Sequence, residues 1–274
     1  MPELPEVETV RRGLVPVLAG HELIAVEIRD GRLTAPADPD AVAHDLLGAV
    51  VTGVGRRGKY LTIELDDGRT LVSHLRMTGW YHHVPELVER PHLRAVFGLD
   101  DGSWVLYSDQ RRFGTMRLIE AGGLEEYWRG RVGPEPLDGA WTSAMLRAAM
   151  RRRLAPVKAL VLDQKVVAGV GNIYADEALW IARIHPLTPG AAIGAVRAGR
   201  LHDAVITVLE RGIEHQGASI DTYRSVDGEP GSMQERFAVY DREGEPCLRC
   251  GGPIRKIRVA QRGTHYCPRC TPRP

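Results

Sequence analysis

All four cysteines of this 274-residue chain fall in its last 28 residues, as two Cys-x2-Cys pairs, Cys247/Cys250 and Cys267/Cys270, separated by sixteen residues. Two such knuckles at this distance supply four thiolates to one tetrahedral Zn²⁺, and four protein ligands leave no open position, so the ion is structural rather than catalytic. Between the pairs, Ile254 to Val259 and Gly263 to Tyr266 read as a β-hairpin with Arg262 near its tip. A module of this size cannot fold on its own apolar core, so the metal supplies folding free energy. Two disulfides or free thiols fit less well, because the acidic, Pro-rich start Met1-Pro2-Glu3-Leu4-Pro5-Glu6 is the opposite of a secretory n-region. The chain nets only +1, yet the stretch from Cys247 onward carries seven Lys and Arg and no acid. Such a concentration of positive charge points to a surface that faces a polyanion.

The length allows two compact domains at roughly 100–200 residues each. With 43% hydrophobic and 26% charged residues the composition is globular rather than disordered. No window approaches the roughly 18 uninterrupted apolar residues of a membrane helix, and the expectation is a cytoplasmic protein. Val7, Val10, Leu14 and Leu18 recur at helical spacing. Alternating runs follow at Ile24/Val26/Ile28, Leu61/Ile63/Leu65 and Ala95/Phe97/Leu99, with Asp67-Gly68 and Asp101-Gly102 as hairpin turns. These short strands predict a β-sandwich, interrupted by a helix near 39–47. Gly/Pro-rich residues 122–136 read as a linker, and beyond it the period becomes helical over 141–152, 156–165, 173–182 and 191–214. Asn172 is placed to cap the third of these helices, with Asp176 and Glu177 in its first turn and Trp180 on its apolar side. Residues 217–235 read as a polar, mobile loop. The whole is an α+β multidomain chain: 1–121 a β-sandwich with an N-terminal helix, 137–235 helical, and 236–274 the zinc hairpin.

Six stretches carry a resemblance. They are Pro2-Glu3-Leu4-Pro5-Glu6-Val7-Glu8, Arg57-Gly58-Lys59-Tyr60-Leu61, His74-Leu75-Arg76-Met77-Thr78-Gly79, Asp109-Gln110-Arg111-Arg112-Phe113-Gly114, Gly169-Val170-Gly171-Asn172-Ile173-Tyr174-Ala175, and the zinc finger with Gln261-Arg262. In this order they resemble the formamidopyrimidine-DNA glycosylases along the whole chain, which implies a helix-two-turn-helix domain at 137–235 and excision of oxidised purines such as 8-oxoguanine from duplex DNA. It also implies a monomer acting on damaged double-stranded DNA near the nucleoid, without a membrane.

Removal of Met1, which a small second residue permits, makes Pro2 an N-terminal secondary amine. An α-amino group titrates at about 7.7–8.0 against about 10.4 for lysine, so roughly a tenth of it is free base at neutral pH. Such an amine can attack C1′ of the damaged nucleotide, expel the base and leave an iminium on the sugar. The resemblance assigns the nucleophile to Pro2, the sugar-side general acid to Glu3, and positioning of the amine or sugar to Glu6. It makes Lys59 the proton donor in β-elimination and Arg262 its counterpart in δ-elimination. His74, His92, Arg153 and Asn172 become backbone contacts, with the Gly169–Gly171 turn offering amides to phosphate. Met77, Arg111 and Phe113 fill the void left by the extruded base, although Met and Phe next to strands are ordinarily core residues. Residues 217–235 resemble the lesion-capping region only loosely, around Asp227-Gly228-Glu229-Pro230-Gly231, and Gln110 stands where a proline is common in the family.

Two alternatives stay open. Endonuclease VIII-like glycosylases act on oxidised pyrimidines, but they tend to begin Pro-Glu-Gly-Pro-Glu and lack this Met77 and Arg-Arg-Phe combination. A non-catalytic zinc-ribbon DNA-binding protein has no need of Pro2, Glu3 and Lys59 together.

Overall fold

A computed structural model describes residues 1–220 and 223–273. By packing, the chain forms two units, Met1–Arg129 with His215–Ser232, and Gly130–Glu214 with Met233–Pro274.

In the first unit, α1 (Leu4–Leu18) starts from a reciprocal cap. The Glu3 side chain accepts the Glu6 N–H, and Glu6 Oε2 accepts the Glu3 N–H at 2.8 Å. Val7, Val10, Leu14 and Leu18 form its buried stripe. The expected sandwich is present as two antiparallel four-stranded sheets. One has the order β1 (Leu23–Ile28), β6 (Leu93–Leu99), β7 (Trp104–Asp109), β5 (Gly79–Val84). The other runs β2 (Val51–Arg57), β3 (Tyr60–Leu65), β4 (Thr70–His74), β8 (Thr115–Ile119). A short helix, α2 (Pro39–Leu46), precedes β2. Leu61, Ile63, Leu71, Tyr81, Phe97, Tyr107 and Met116 share one core with the α1 stripe. The Asp67-Gly68 and Asp101-Gly102 turns join β3 to β4 and β6 to β7, with φ of 84° and 87° at the two glycines.

Two segments depart from the sequence reading. The stretch read as a linker contains α3 (Leu124–Trp128), because Trp128 is a buried anchor. It lies edge-on to Tyr60 with ring centroids 5.4 Å apart, and the Arg57 guanidinium sits over it. Residues 215–232, placed with the helical domain by their position in sequence, pack on the first unit. Val226 enters the sandwich core against Gly13 of α1. The Ala218 N–H donates to Glu6 Oε1 at 2.8 Å, and the Tyr223 hydroxyl donates to Glu6 O. Polar composition concealed these few anchors. Positions 221 and 222 of that segment lie outside the described residues.

The second unit contains α4 (Ser143–Met150), α5 (Val157–Leu162), α6 (Asn172–Ala182), α7 (Ala195–Glu214) and a hairpin of β9 (Arg255–Val259) and β10 (Arg262–Tyr266). Helix α7 packs on α4 and α6, and β10 lies against α6. The cap of α6 is Gly171, and Asn172 is its first helical residue. Asp176 and Glu177 lie beyond the first turn and point inward rather than to solvent. The fully buried Lys158 Nζ lies 2.7 Å from Asp176 Oδ1 and donates to Gly263 O and Thr264 Oγ1. Asp176 Oδ2 accepts the His265 N–H, and the Glu177 carboxylate accepts the N–H groups of Ala238, Val239 and Tyr240. Two buried carboxylates thus fasten the C-terminal module to α6. No helix among the described residues is long and apolar enough to cross a membrane.

Candidate active site and metal centre

Of the residues singled out by sequence, Pro2, Glu3, Lys59, His74, Met77, His92, Arg111 and Phe113 lie in the first unit, and Arg153, Asn172, Arg262 and the four cysteines in the second. Pro2 is buried immediately before the α1 cap, and Glu3 is 2% exposed. Both oxygens of Glu6 are used for backbone N–H groups, one in the cap and one at Ala218, so this side chain braces the first turn against residues 215–232. Lys59, 6% exposed, sits in the β2–β3 turn after Gly58, whose φ of 57° suits glycine. That turn is tied to α1 because Arg56 bonds both Glu8 Oε2 (3.1 Å) and Gly58 O (3.0 Å). Burial acts to raise the Glu8 pKa, but hydrogen bonds from Arg11 and Arg12 and the charges of Arg11 and Arg56 bring it down to about 2.

His74 pairs with Tyr60 across β3 and β4 and lies edge-on to its ring. Its Nδ1 accepts the Arg76 N–H at 2.9 Å, so a neutral ring carries its proton on Nε2. Burial pushes its pKa down to about 3, with the charges of Arg76 and Lys59 acting in the same direction. Met77 is half-buried and Phe113 is 52% exposed, so neither is a core residue. The Arg111 guanidinium stacks 4.9 Å from the Phe113 ring centroid. Arg112 turns away to form a two-pronged bond with Asp30. Exposed His92 has a φ of 64° and borders a cleft of about 480 Å³ lined also by Thr78, Trp80, His82, Arg90 and Arg224. That volume lies within the roughly 300–1,000 Å³ of small-molecule pockets.

In the second unit, Ala260 and Gln261 have φ of 46° and 63° and form a two-residue turn, after which exposed Arg262 opens β10. Asn172 Nδ2 donates to Gly263 O at 3.0 Å, linking the start of α6 to this hairpin. The Gly169 N–H is occupied by Gln164 Oε1 (2.9 Å), which removes it from the amides expected to meet phosphate. Exposed Arg153 lies 3.7 Å from Asp163. The four cysteine sulfurs all lie within 4.8 Å of one another, with Cys247–Cys270 at 3.8 Å and Cys250–Cys267 at 3.5 Å. Tetrahedral bonds of about 2.3 Å imply sulfur–sulfur spacings of about 3.8 Å, so the donor set fits one Zn²⁺. The Trp180 Nε1–H points at Cys247 Sγ, and Arg249 stacks on the same indole.

Three family models cover most of the chain. They are the formamidopyrimidine-DNA glycosylase N-terminal domain over residues 1–116, the formamidopyrimidine-DNA glycosylase H2TH domain over 132–224, and the zinc finger found in FPG and IleRS over 244–273. The formamidopyrimidine-DNA glycosylase of Symbiobacterium thermophilum is 48% identical over 277 residues, covering 100% of this chain and 90% of that protein. The chain belongs to the formamidopyrimidine-DNA glycosylase family. The crystal structure of a Lactococcus lactis FPG mutant in complex with Fapy-dG-containing DNA matches with a TM-score of 0.94 at 38% identity, covering 99% of this chain and 100% of that one. The complex of Lactococcus lactis Fpg with abasic-site DNA matches at 0.93 and 38%, with the same coverage.

In this formamidopyrimidine-DNA glycosylase relative, several residues that support the candidate site or the hairpin were passed over by sequence reasoning. Thr78 and Asp109 sit inside the quoted motifs but received no role, because their partners are 31 residues apart in sequence. Tyr223 carried no signal at all, since its two acceptors are main-chain oxygens of Glu6 and Gln216. The Lys158–Asp176 pair reads as two ordinary helix-surface charges until the hairpin is placed.

Proposed function

We propose that this chain is a bifunctional DNA glycosylase and abasic-site lyase that excises 8-oxoguanine and formamidopyrimidines from duplex DNA. The supporting observation is the buried first turn of α1, where Pro2 and Glu3 are fixed by the Glu3–Glu6 cap and braced to the turn that carries Lys59. A terminus that needed only to be soluble would not be buried and fastened at three points. The chemistry requires loss of Met1, since with Met1 attached the Pro2 nitrogen is an amide.

The freed Pro2 nitrogen attacks C1′ as the N-glycosidic bond breaks, and the base departs with a proton. Glu3 protonates the ring oxygen O4′, which opens the sugar and leaves a cationic iminium between Pro2 and C1′. Loss of the C2′ proton expels the 3′ phosphate, with Lys59 as proton donor, and the second elimination expels the 5′ phosphate with Arg262 in that role. His74 offers its Nε2–H to the DNA backbone, joined by His92, Arg153 and Asn172. Met77, Arg111 and Phe113 occupy the gap in the stack, with Arg111 facing the orphaned base. One Zn²⁺ in the Cys247/Cys250/Cys267/Cys270 set contributes structure and holds the hairpin that presents Arg262. The enzyme works as a monomer on double-stranded DNA.

Borohydride added to enzyme and an 8-oxoguanine:cytosine duplex should give a stable crosslink that mass spectrometry maps to Pro2. A crosslink on an internal lysine, or none, overturns the assignment. Repeating the assay with oxidised-pyrimidine duplex separates the purine-directed reading from the endonuclease VIII-like one, and a binding-only protein crosslinks to neither.

A further inference from the structure

The residues read as void-filling stand on two separate turns. Met77 lies between β4 and β5, and Arg111 and Phe113 lie between β7 and β8. Arg76 and Arg112, the residues just before Met77 and Phe113, adopt left-handed conformations with φ of 54° and 57°. Beneath the two turns lies Asp109, 1% exposed, at the end of β7. Its Oδ1 accepts the Thr78 hydroxyl at 2.5 Å and the Arg111 N–H at 3.2 Å, and its Oδ2 accepts the Gly114 N–H at 2.7 Å. Thr78 Oγ1 in turn accepts the Arg111 N–H at 3.0 Å. One carboxylate and one hydroxyl therefore join the turn that bears Met77 to both ends of the turn that bears Arg111 and Phe113.

The backbone is fitted to the same junction. A Cβ at Gly79 would lie 2.3 Å from the Tyr107 hydroxyl oxygen, and one at Gly114 would lie 1.9 Å from it. Both turns thus lie directly on one buried phenol, an approach open only to glycine. On the outer side, Arg112 is held by Asp30, and the Arg94 Nε–H donates to Asp109 O. Neither Thr78 nor Asp109 carries an exposed side chain.

We infer that the Thr78–Asp109 pair locks the two turns into one rigid body and thereby sets how strongly the enzyme selects the base opposite the lesion. This rests on the void-filling reading of Met77, Arg111 and Phe113. Thr78 and Asp109 are positioning residues. They act through the main-chain position of Arg111, and a displaced guanidinium can still reach DNA but not with the geometry that separates cytosine from adenine.

The test is single-turnover excision by full-length protein from 8-oxoguanine duplexes with cytosine or adenine opposite, beside cleavage of a preformed abasic site. Thr78→Val keeps the side-chain shape and removes the hydroxyl, and should cut the cytosine-over-adenine ratio by roughly fivefold or more. Cleavage of the preformed abasic site should stay within about twofold of parental, because that reaction does not depend on reading the orphaned base. Thr78→Ser, which retains the hydroxyl, should restore the parental ratio. In an Arg111→Ala background Thr78→Val should change the ratio no further, since the two act on one contact. If Thr78→Val does not fold, Asp109→Asn is read on the same duplexes with the same expected results. A parental ratio in a folded variant overturns the inference, as does a loss of abasic-site cleavage as large as the loss of excision. A parent that fails to cleave abasic DNA sinks instead the catalytic reading, so the two failures are distinct.

Discussion

His74 shows how far one side chain is set by what surrounds it. Its folded pKa of about 3 lies below the usual value near 6.5, so the unfolded chain binds the extra proton between these limits. Stability from keeping it neutral is therefore complete above about pH 6.5 and is lost as pH falls toward 3. Across pH 5–8 the ring should stay neutral with its proton on Nε2, and its NMR resonances should be flat over that range. A midpoint above pH 5 would contradict the buried geometry. Arg111 and Phe113 stack on each other yet should separate on mutation. Arg111→Ala should flatten the preference for cytosine opposite 8-oxoguanine, which a bidentate contact of about 1–3 kcal/mol makes roughly 5- to 150-fold. Phe113→Ala should slow excision whatever the opposite base, because a wedge assists unstacking without reading it. Single-turnover rates on four duplexes differing only in that base check both, and an unchanged ordering in Arg111→Ala would place discrimination elsewhere.

Between elements, the Glu8–Arg56 bridge joins α1 to the turn that carries Lys59, and both side chains are 11% exposed. The Glu8 pKa of about 2 lies below its ordinary value of 4.5, so its contribution is present above about pH 4.5 and disappears as pH falls toward 2. At neutral pH the carboxylate's contacts with Arg11, Arg12 and Arg56 together contribute at most about 3 kcal/mol, with Arg56 the smallest share and the exposed Arg12 screened by solvent. Melting curves of the parent and Glu8→Gln should differ by several degrees at pH 7 and converge near pH 2, whereas a gap independent of pH would reassign the effect. Lys158→Met strands a fully buried Asp176 and should cost about 3–5 kcal/mol in chemical denaturation. What the sequence disclosed follows the same line between local and distant partners. The alternation at 61–65 and 95–99, the Asp-Gly turns, the α1 stripe and the cysteine spacing are local patterns, and each appears where expected. In β1 the register shifts after Leu23 and Ile24 is left 52% exposed, which the Ile24/Val26/Ile28 alternation did not foretell. The Pro2-Glu3 and Arg-Arg-Phe motifs marked the side chains to which the proposed function gives roles. The clamps that hold them were not legible, because Glu6 with Ala218, Thr78 with Asp109 and Lys158 with Gly263 join residues between 31 and 212 positions apart. Asn172 is the first helical residue of α6 rather than its cap, and its side-chain N–H donates to Gly263 O, a partner 91 residues away that the local motif does not reveal.

For the molecule as a whole, the metal centre and the sandwich should fail separately. Cys270→Ser should lower bound zinc from one ion per chain toward none and abolish DNA binding, while the β-rich far-ultraviolet signal of the first unit persists. Zinc near zero in the parent, or full DNA binding in the variant, would refute that expectation. The first unit is assembled from two stretches of chain, since residues after Arg129 belong elsewhere until His215–Ser232 returns to complete it. The backbone consequently passes from one body to the other three times, and no single cut yields two finished halves. A break after Arg129 leaves an N-terminal fragment whose groove beside Gly13 lacks Val226 and whose Glu6 lacks the Ala218 amide, while the other fragment carries the missing piece between α7 and its zinc module. Fragments divided there hold a built-in tenon and socket, so co-expression should let them reassociate, whereas residues 1–129 alone would expose the apolar slot that Val226 fills.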